Sequence, residues 1–184
     1  MMRKSSLVKC VLTAGVVVAG IGKYLHDTRE SEEQRIAYCR ALREGRKIDG
    51  ESWGINVGPT YSKGVSECCV SVLFRDSISS MSHYGFNNTR QKLDSVDFGY
   101  VDRMIKEMGT GELEAVIIGG DKGYCAVLKK KFTDAGIRIR NGWCDKTENG
   151  KDNKDSGKMI VADPETKSVY VLDEDNGRIL KILK

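Results

Sequence analysis

The chain is poor in proline and histidine. Its 184 residues include only 2 prolines and 2 histidines, and no repeat or long low-complexity tract is present. No CxxC pair and no Cys/His spacing typical of zinc is found, so the sequence indicates no metal site. Hydrophobic residues make up 40% of the chain and charged residues 30%, a balance typical of one folded domain with a substantial core.

The net charge of +4 is concentrated at the N-terminus. Arg3, Lys4 and Lys9 supply three of these charges, and residues 1–22 contain no acidic residue. The rest of the chain is therefore close to neutral and lacks the basic face of a nucleic-acid-binding domain. We predict no nucleic-acid partner.

The basic N-terminus precedes a short apolar stretch from Cys10 to Gly22, an arrangement typical of a secretory signal peptide. The stretch is too short for a comfortable membrane span of about 20 residues. We predict a signal peptide or N-terminal anchor at 1–22, an N-terminal helix and linker at 23–54, and one domain at 55–184. Export would leave the protein periplasmic or secreted with no stable membrane span, whereas an uncleaved segment would anchor it.

The six cysteines allow disulfides but do not all pair after export. Loss of residues 1–22 would remove Cys10 and leave an odd number of cysteines: Cys39, Cys68, Cys69, Cys125 and Cys144. One or two disulfides are then allowed in an oxidising compartment, and at least one thiol remains. An unpaired thiol in an exported protein needs a role, and catalysis is one such role.

Hydrophobic periodicity predicts an α+β fold. Val70, Val72 and Phe74 alternate as in a strand, and a turn at Asp76 and Ser77 precedes a second strand at 78–84. Helical periodicity predicts two helices that each end at a glycine, and further apolar runs predict strands; the helices lie at 98–108 and 124–132, and the strands at 113–118, 137–140, 159–162, 169–172 and 178–183. We therefore predict mixed, sandwich-like β-sheets flanked by helices.

Cys68 and His83 are the residues most indicative of chemistry. His83 lies across the predicted hairpin from Cys68, where positions equidistant from the turn face each other. A thiol is a poor nucleophile when protonated, and a neighbouring imidazole can take its proton and later give it to a leaving amine. The same spacing also fits a buried cysteine beside a half-buried histidine that has no catalytic role.

The residues around this pair resemble the CheD family of chemoreceptor glutamine deamidases. The segment Ser62-Lys63-Gly64-Val65-Ser66-Glu67-Cys68 resembles the family's nucleophile segment, in which a hydroxyl residue lies six positions before the cysteine. It is also similar to the Leu-Ser-Gly-Cys motif of the cytotoxic necrotizing factors. Ser79-Ser80-Met81-Ser82-His83 resembles the Gly-Gly-Met-Ala-His segment that carries the family's histidine. Weaker resemblances follow in the same order at 115–120, 128–137 and 157–166.

The resemblance implies a CheD-like cysteine hydrolase fold and a protein-glutamine amidohydrolase that needs no cofactor. It implies Cys68 as the nucleophile, His83 as the acid and base, and Ser62 as the residue that orients the imidazole. Cys69 is an alternative nucleophile. A small residue, Ser71, lies two positions after it, and the family's cysteine is also followed by a small residue at that distance. Glu67 departs from the family's glycine or serine, and an anion there would disfavour a thiolate.

An exported deamidase would act on a protein of a host or competitor, as a toxin or effector. Two alternatives stay open. A transglutaminase- or protease-like enzyme would form the same thioester. A non-catalytic binding module would instead be held by disulfides among the remaining cysteines, including pairs between Cys68 or Cys69 and Cys125 or Cys144.

Overall fold

The computed structural model divides the chain into two compact units, Met1–Ala37 and Tyr38–Lys184. The structure describes residues 32, 35–36, 39–50, 52–65, 68–84, 98–109, 111–119, 122–140, 142, 157–175, 177 and 179–184. The predicted signal segment, His26, Glu67 and Cys144 lie outside these residues. All the described strands, and the two helices that cover them, belong to the second unit.

The described strands form two five-stranded mixed sheets. In chain order they are β1 (Arg46–Lys47), β2 (Ser52–Val57), β3 (Thr60–Val65), β4 (Cys69–Arg75), β5 (Ile78–Tyr84), β6 (Glu114–Gly119), β7 (Arg138–Ile139), β8 (Lys158–Asp163), β9 (Ser168–Asp173) and β10 (Ile179–Leu183). The first sheet has the order β1-β3-β8-β9-β10 and the second β2-β5-β4-β6-β7. Only the pairs β1–β3 and β6–β7 are parallel among these strands. Together with the two helices, the sheets confirm the predicted α+β class.

The β4–β5 hairpin is the centre of the second sheet. Its loop is Asp76-Ser77, and Asp76 adopts a φ of 51°, a left-handed conformation that aspartate tolerates better than most residues. This two-residue loop pairs Arg75 with Ile78, and the register continues to Val70 opposite His83. Alternation along the paired strands then separates their side chains into two sets, one for each face of the sheet.

The second sheet buries both of its faces, each in a separate core. Its inner face packs on the first sheet through apolar side chains of both: Val70, Val72, Phe74, Met81, Val116 and Ile118 on one side, and Ile160, Ala162, Val169 and Val171 on the other. Its helix face packs under two helices, α1 (Gly99–Met108) and α2 (Lys122–Asp134). Full burial of one such aliphatic side chain contributes about 1.5–3 kcal/mol, so neither face is free to be solvated.

The two helices follow the predicted periodicity. Val101, Met104 and Met108 are buried in α1, and Cys125, Leu128 and Phe132 are buried in α2. α1 ends at Gly109, whose φ of 74° stops the helix, and Gly136 follows α2 with a φ of 71°. Among the described residues, no helix has the length and apolar character to cross a membrane.

The compact unit includes residues that the sequence assigned to a linker. Residues 39–44 are helical, within the region where the sequence predicts an N-terminal helix, and the chain enters the sheets directly after Gly45. β1 pairs with β3, β2 forms the edge next to β5, and Ile48 between them is 2% exposed in the inner core. The unit therefore starts at Tyr38, whereas the sequence placed the start of the domain at residue 55.

Candidate active site

His83 lies on β5 and points between the two sheets. Its strand partners are Val70 on β4 and Ser52 on β2, and its side chain is 3% exposed. Directly paired residues share one face of a sheet, so His83 belongs to the inner face with Val70. The imidazole is thus held in the core by the first sheet that covers it.

Ser62 reaches His83 from the opposite sheet. It lies on β3, is fully buried, and its Oγ is 2.7 Å from His83 Nδ1 and 2.6 Å from the backbone oxygen of Ile48. The hydroxyl has a single proton, and the Ile48 carbonyl can only accept one. Ser62 therefore donates to Ile48 and accepts from the Nδ1–H of His83. In this tautomer Nε2 carries the lone pair.

A second hydroxyl contact joins the same two strands. Thr60 Oγ1 on β3 lies 3.1 Å from Ser79 Oγ on β5, and both residues are fully buried. Thr60 and Ser62 are two positions apart, so strand alternation turns both hydroxyls inward. These contacts fix the position of β3 relative to β5 and hence the approach of Ser62 to the imidazole.

The second ring nitrogen of His83 has no hydrogen-bond partner among the described residues, although it is buried. An unsatisfied buried polar group costs about 1–3 kcal/mol, and a catalytic role is one of the reasons for which a folded protein retains such a group. Burial lowers the pKa of His83, and the nearby Asp49 carboxylate partly opposes this. The imidazole is therefore neutral at neutral pH and carries an acceptor that is ready to take a proton.

The two adjacent cysteines lie on different sides of β4. Cys69 is buried on the helix face, where it pairs with Tyr84. Cys68 precedes the strand, has a free thiol that is partly exposed, and packs against the inner core. Strand alternation from Val70 also assigns Cys68 to the inner face. The structure therefore places Cys68 and His83 on the inner face of the second sheet, where Ser62 of the first sheet meets the imidazole, and turns Cys69 to the helix face.

Cys68 is a diagonal neighbour of His83, which corrects the predicted pairing. The sequence placed the two residues directly opposite each other, but the Asp76-Ser77 loop sets Val70 opposite His83. Cys68 lies two residues further along that strand direction. Diagonal neighbours on one face are about 7–8 Å apart, within reach of an aromatic ring. For a proton to pass between them, the Cys68 thiol and His83 Nε2 would have to move closer together than this diagonal spacing places their backbones.

The backbone of Cys68 is closely approached by Gly119 at the end of β6. Gly119 has a φ of 72°, and a Cβ on it would stand 2.6 Å from the carbonyl oxygen of Cys68. Any other residue would force this strand end away from the candidate nucleophile. Gly119, the last residue of β6, therefore has a direct steric role beside Cys68.

Sequence reasoning did not identify Ile48, because its contribution is a backbone oxygen and carries no residue signature. It also did not identify the polar cluster on the helix face. There Ser71 Oγ lies 2.6 Å from Ser82 Oγ, beside the buried Tyr84 hydroxyl, whose pKa is raised by burial. No group of three or more His, Cys, Asp and Glu side chains suited to a metal ion occurs in the described part of the chain.

Comparison of the chain with protein-family models gave no matching family, and comparison with curated proteins gave no match.

Proposed function

We propose that this chain is a cysteine-dependent protein glutamine deamidase with a CheD-like fold, in which Cys68 is the nucleophile and His83 the acid and base. The observation that carries the proposal is the path of the Ser62 proton. Because Ser62 donates to Ile48, it accepts from His83 Nδ1, and the lone pair of the ring is left on Nε2. That base shares the inner face with the partly exposed thiol of Cys68.

The first half-reaction forms a thioester. His83 Nε2 takes the Cys68 proton, and the thiolate attacks the carboxamide carbon of a glutamine side chain. The C–S bond forms, the C–N bond breaks, and the imidazolium returns its proton to the departing ammonia. Ser62 keeps the ring oriented throughout, the task that a carboxylate or amide has in other cysteine enzymes.

The second half-reaction restores the enzyme. His83 Nε2 takes a proton from water, and the resulting hydroxide attacks the thioester carbon. The C–O bond forms, the C–S bond breaks, and the proton returns to the thiolate of Cys68. The net change is glutamine plus water to glutamate plus ammonia, and no metal or organic cofactor takes part.

The choice of a protein glutamine as substrate rests on the resemblance of the Cys68 and His83 segments to the CheD family and the necrotizing factors. The geometry alone suits any acyl transfer through a cysteine thioester. Conversion of a neutral amide to a carboxylate adds one negative charge, which can disable a binding site on the target. With the signal-like N-terminus, this favours an exported toxin or effector that acts on a host or competitor protein.

The test uses reduced, unfolded casein as a glutamine-rich substrate, with ammonia release and peptide mass spectrometry as readouts. We expect the full chain to release ammonia and to convert glutamine to glutamate. Cys68→Ser should lower this rate by roughly 10³-fold or more, because a serine hydroxyl is a much weaker nucleophile than a cysteine thiolate. Cys69→Ser is the matched control and should stay within a few-fold of the wild-type rate.

Three other results would contradict the proposal. Incorporation of an added primary amine in place of hydrolysis would identify a transglutaminase, and casein fragments would identify a protease. Equal loss in both serine variants would remove the distinction between the two faces.

In the same samples, limiting iodoacetamide should label Cys68 more slowly once His83 is replaced by glutamine, and this readout needs no substrate.

A further inference from the structure

Two hydrogen bonds hold the loop between β1 and β2, and each involves a residue that neighbours His83. On one side the Ile48 carbonyl accepts the proton of Ser62, the residue bound to the imidazole. On the other, Ser52 Oγ donates to the backbone oxygen of Asp49 at 2.5 Å, and Ser52 is the strand partner of His83 on β2. Asp49 therefore lies in a loop whose two neighbouring anchors both adjoin the candidate base.

We propose that Asp49 is the anion of this site, a positioning residue that the loop holds near His83 to stabilise the imidazolium formed when Cys68 loses its proton. This role rests on the proposed function, because it is needed only if His83 takes up a proton. Ser62 orients the ring but is neutral, so it cannot balance the positive charge. A carboxylate held outside the core supplies that charge without being buried itself.

The charges near His83 support this assignment. Burial lowers the pKa of His83, and the Asp49 carboxylate is the charged group that acts against that effect. Asp49 is 72% exposed and makes an ion pair of 2.7 Å with Lys47, which is 52% exposed. Solvent and the Lys47 ammonium both weaken the field of the carboxylate, so its contribution is modest and adjustable.

The groups that share the inner face with the imidazole supply no competing anion among the described residues. There the ring adjoins Val70 and the neutral hydroxyl of Ser62, and Cys68 is the other titratable group. Asp163 belongs to the far end of β8, where its carboxylate accepts hydrogen bonds from the turn residues Glu165 and Thr166.

The first sheet also carries cations: Arg46 on β1, whose guanidinium donates to the Ile55 carbonyl, the exposed Lys63 on β3 and the buried Lys158 on β8. None of these three is a cause of the shift in the His83 pKa, which arises from burial and from Asp49.

The test measures the pKa of His83 by NMR of the imidazole protons, in the full chain with His26 replaced by asparagine so that one histidine remains. Asp49→Asn should move this pKa downward, because the opposing anion is removed. Lys47→Gln should move it upward, because the Asp49 carboxylate loses its counter-ion. Asp49→Glu should restore the wild-type value. Asp134→Asn, which breaks a comparable exposed ion pair with Lys130 on α2, should leave it unchanged.

Deamidation of casein gives the second readout. Asp49→Asn should lower the rate by about 2- to 5-fold, the range expected for one exposed charge pair, and should shift the acidic limb of the pH profile in the direction of the NMR result. An unmoved His83 pKa in Asp49→Asn would overturn the inference even if the enzyme is an active deamidase. A shifted pKa in a chain that never deamidates casein would uphold the electrostatic contact and count against the proposed function instead.

Discussion

Cys68 and Cys69 are adjacent in the chain, yet they belong to two faces of one hairpin with opposite chemistry. The inner face carries Cys68 and His83, which Ser62 meets from the first sheet, and the helix face carries Cys69 with Tyr84, Ser71 and Ser82. Both faces hold a thiol, hydroxyls and a ring, so residue type does not distinguish them. The difference lies in where the hydroxyl protons go. Ser62 gives its proton to a carbonyl and so fixes a tautomer, whereas Ser71 and Ser82 bond to each other.

Access separates the two faces further. Cys69 is fully buried under the helices, whereas the Cys68 thiol is partly exposed at the start of β4. A nucleophile must meet a substrate, and a buried thiol beside a phenol cannot do so without opening the helix face. The helix face therefore has the residue types of an active site but forms a hydrophobic core. The inner face is the candidate for catalysis.

The largest difference between the two faces is expected when a serine of each is replaced by alanine. Ser62→Ala should lower deamidation by about 100-fold, because the imidazole loses the acceptor that fixes its tautomer. It should also lower the free energy of unfolding by about 1–3 kcal/mol, since the Ile48 carbonyl and His83 Nδ1 lose their partner. Ser71→Ala, which removes a hydroxyl on the helix face, should cost about 1 kcal/mol of stability and leave the rate within about two-fold. Casein deamidation and urea unfolding measure both.

If Ser71→Ala slowed deamidation as much as Ser62→Ala, the loss would reflect general loosening of the hairpin. Ser62→Thr keeps a hydroxyl at the same position and should recover part of the lost rate. A threonine variant as slow as the alanine variant, at equal stability, would exclude an orienting role for this hydroxyl.

A smaller effect concerns the pH dependence of stability. His83 has a pKa below its ordinary value of 6.5, because burial disfavours the charged ring. The unfolded chain therefore binds a proton more readily than the folded chain, and folding loses stability as the pH falls below 6.5 towards the folded pKa. Above the ordinary pKa the contribution is fully present. Urea unfolding at a series of pH values should show this loss in the wild type and a shallower slope in His83→Asn.

His26→Asn is the control for that series, because it removes the other histidine of the chain and should keep the wild-type slope. Acidic groups contribute equally to all three proteins, so the difference between the slopes isolates His83. A slope for His83→Asn equal to that of the wild type would mean that the folded imidazole is not disfavoured as a cation.

The smallest effect is expected on the helix face. The Tyr84 hydroxyl is buried, and Ser82 and Ser71 lie close enough to act against the rise in its pKa. No contact of this hydroxyl with a described residue has the geometry of a hydrogen bond. Tyr84→Phe should therefore leave the free energy of unfolding unchanged or raise it by up to about 1 kcal/mol, with no change in deamidation. A loss of more than this in urea unfolding would show that the hydroxyl does bond in the folded protein.

The elements that sequence reasoning predicted are those with a clear apolar period. β4, β8 and β9 lie along apolar runs, β5 follows β4 through a short turn, and α1 and α2 repeat at the helical period and are followed by glycines. β2 and β3 were missed, because Gly54, Gly58, Pro59 and Gly64 read as loop residues. The inward positions of β3 are hydroxyls that bond across the sheets, and such strands have no apolar signature.

The site could be predicted as a set of residues but not as an arrangement. Alternation assigns faces, whereas pairing depends on loop length, so the sequence placed Cys68 opposite His83 when Val70 occupies that position. The backbone oxygen of Ile48 reaches Ser62 because β1, which Ile48 follows directly, pairs in parallel with β3. The local pattern of side chains predicts neither this strand pairing nor the position of a backbone carbonyl.

The Asp76-Ser77 turn contains no reacting atom, yet it governs which thiol adjoins the imidazole. Its two residues admit the register in which His83 enters the space between the sheets and Tyr84 lies under the helices. Because side chains alternate, a one-residue deletion that slipped this pairing would exchange the two rings. During divergence, the chain could therefore lose its chemistry through a length change in this turn while every reacting residue stayed in place.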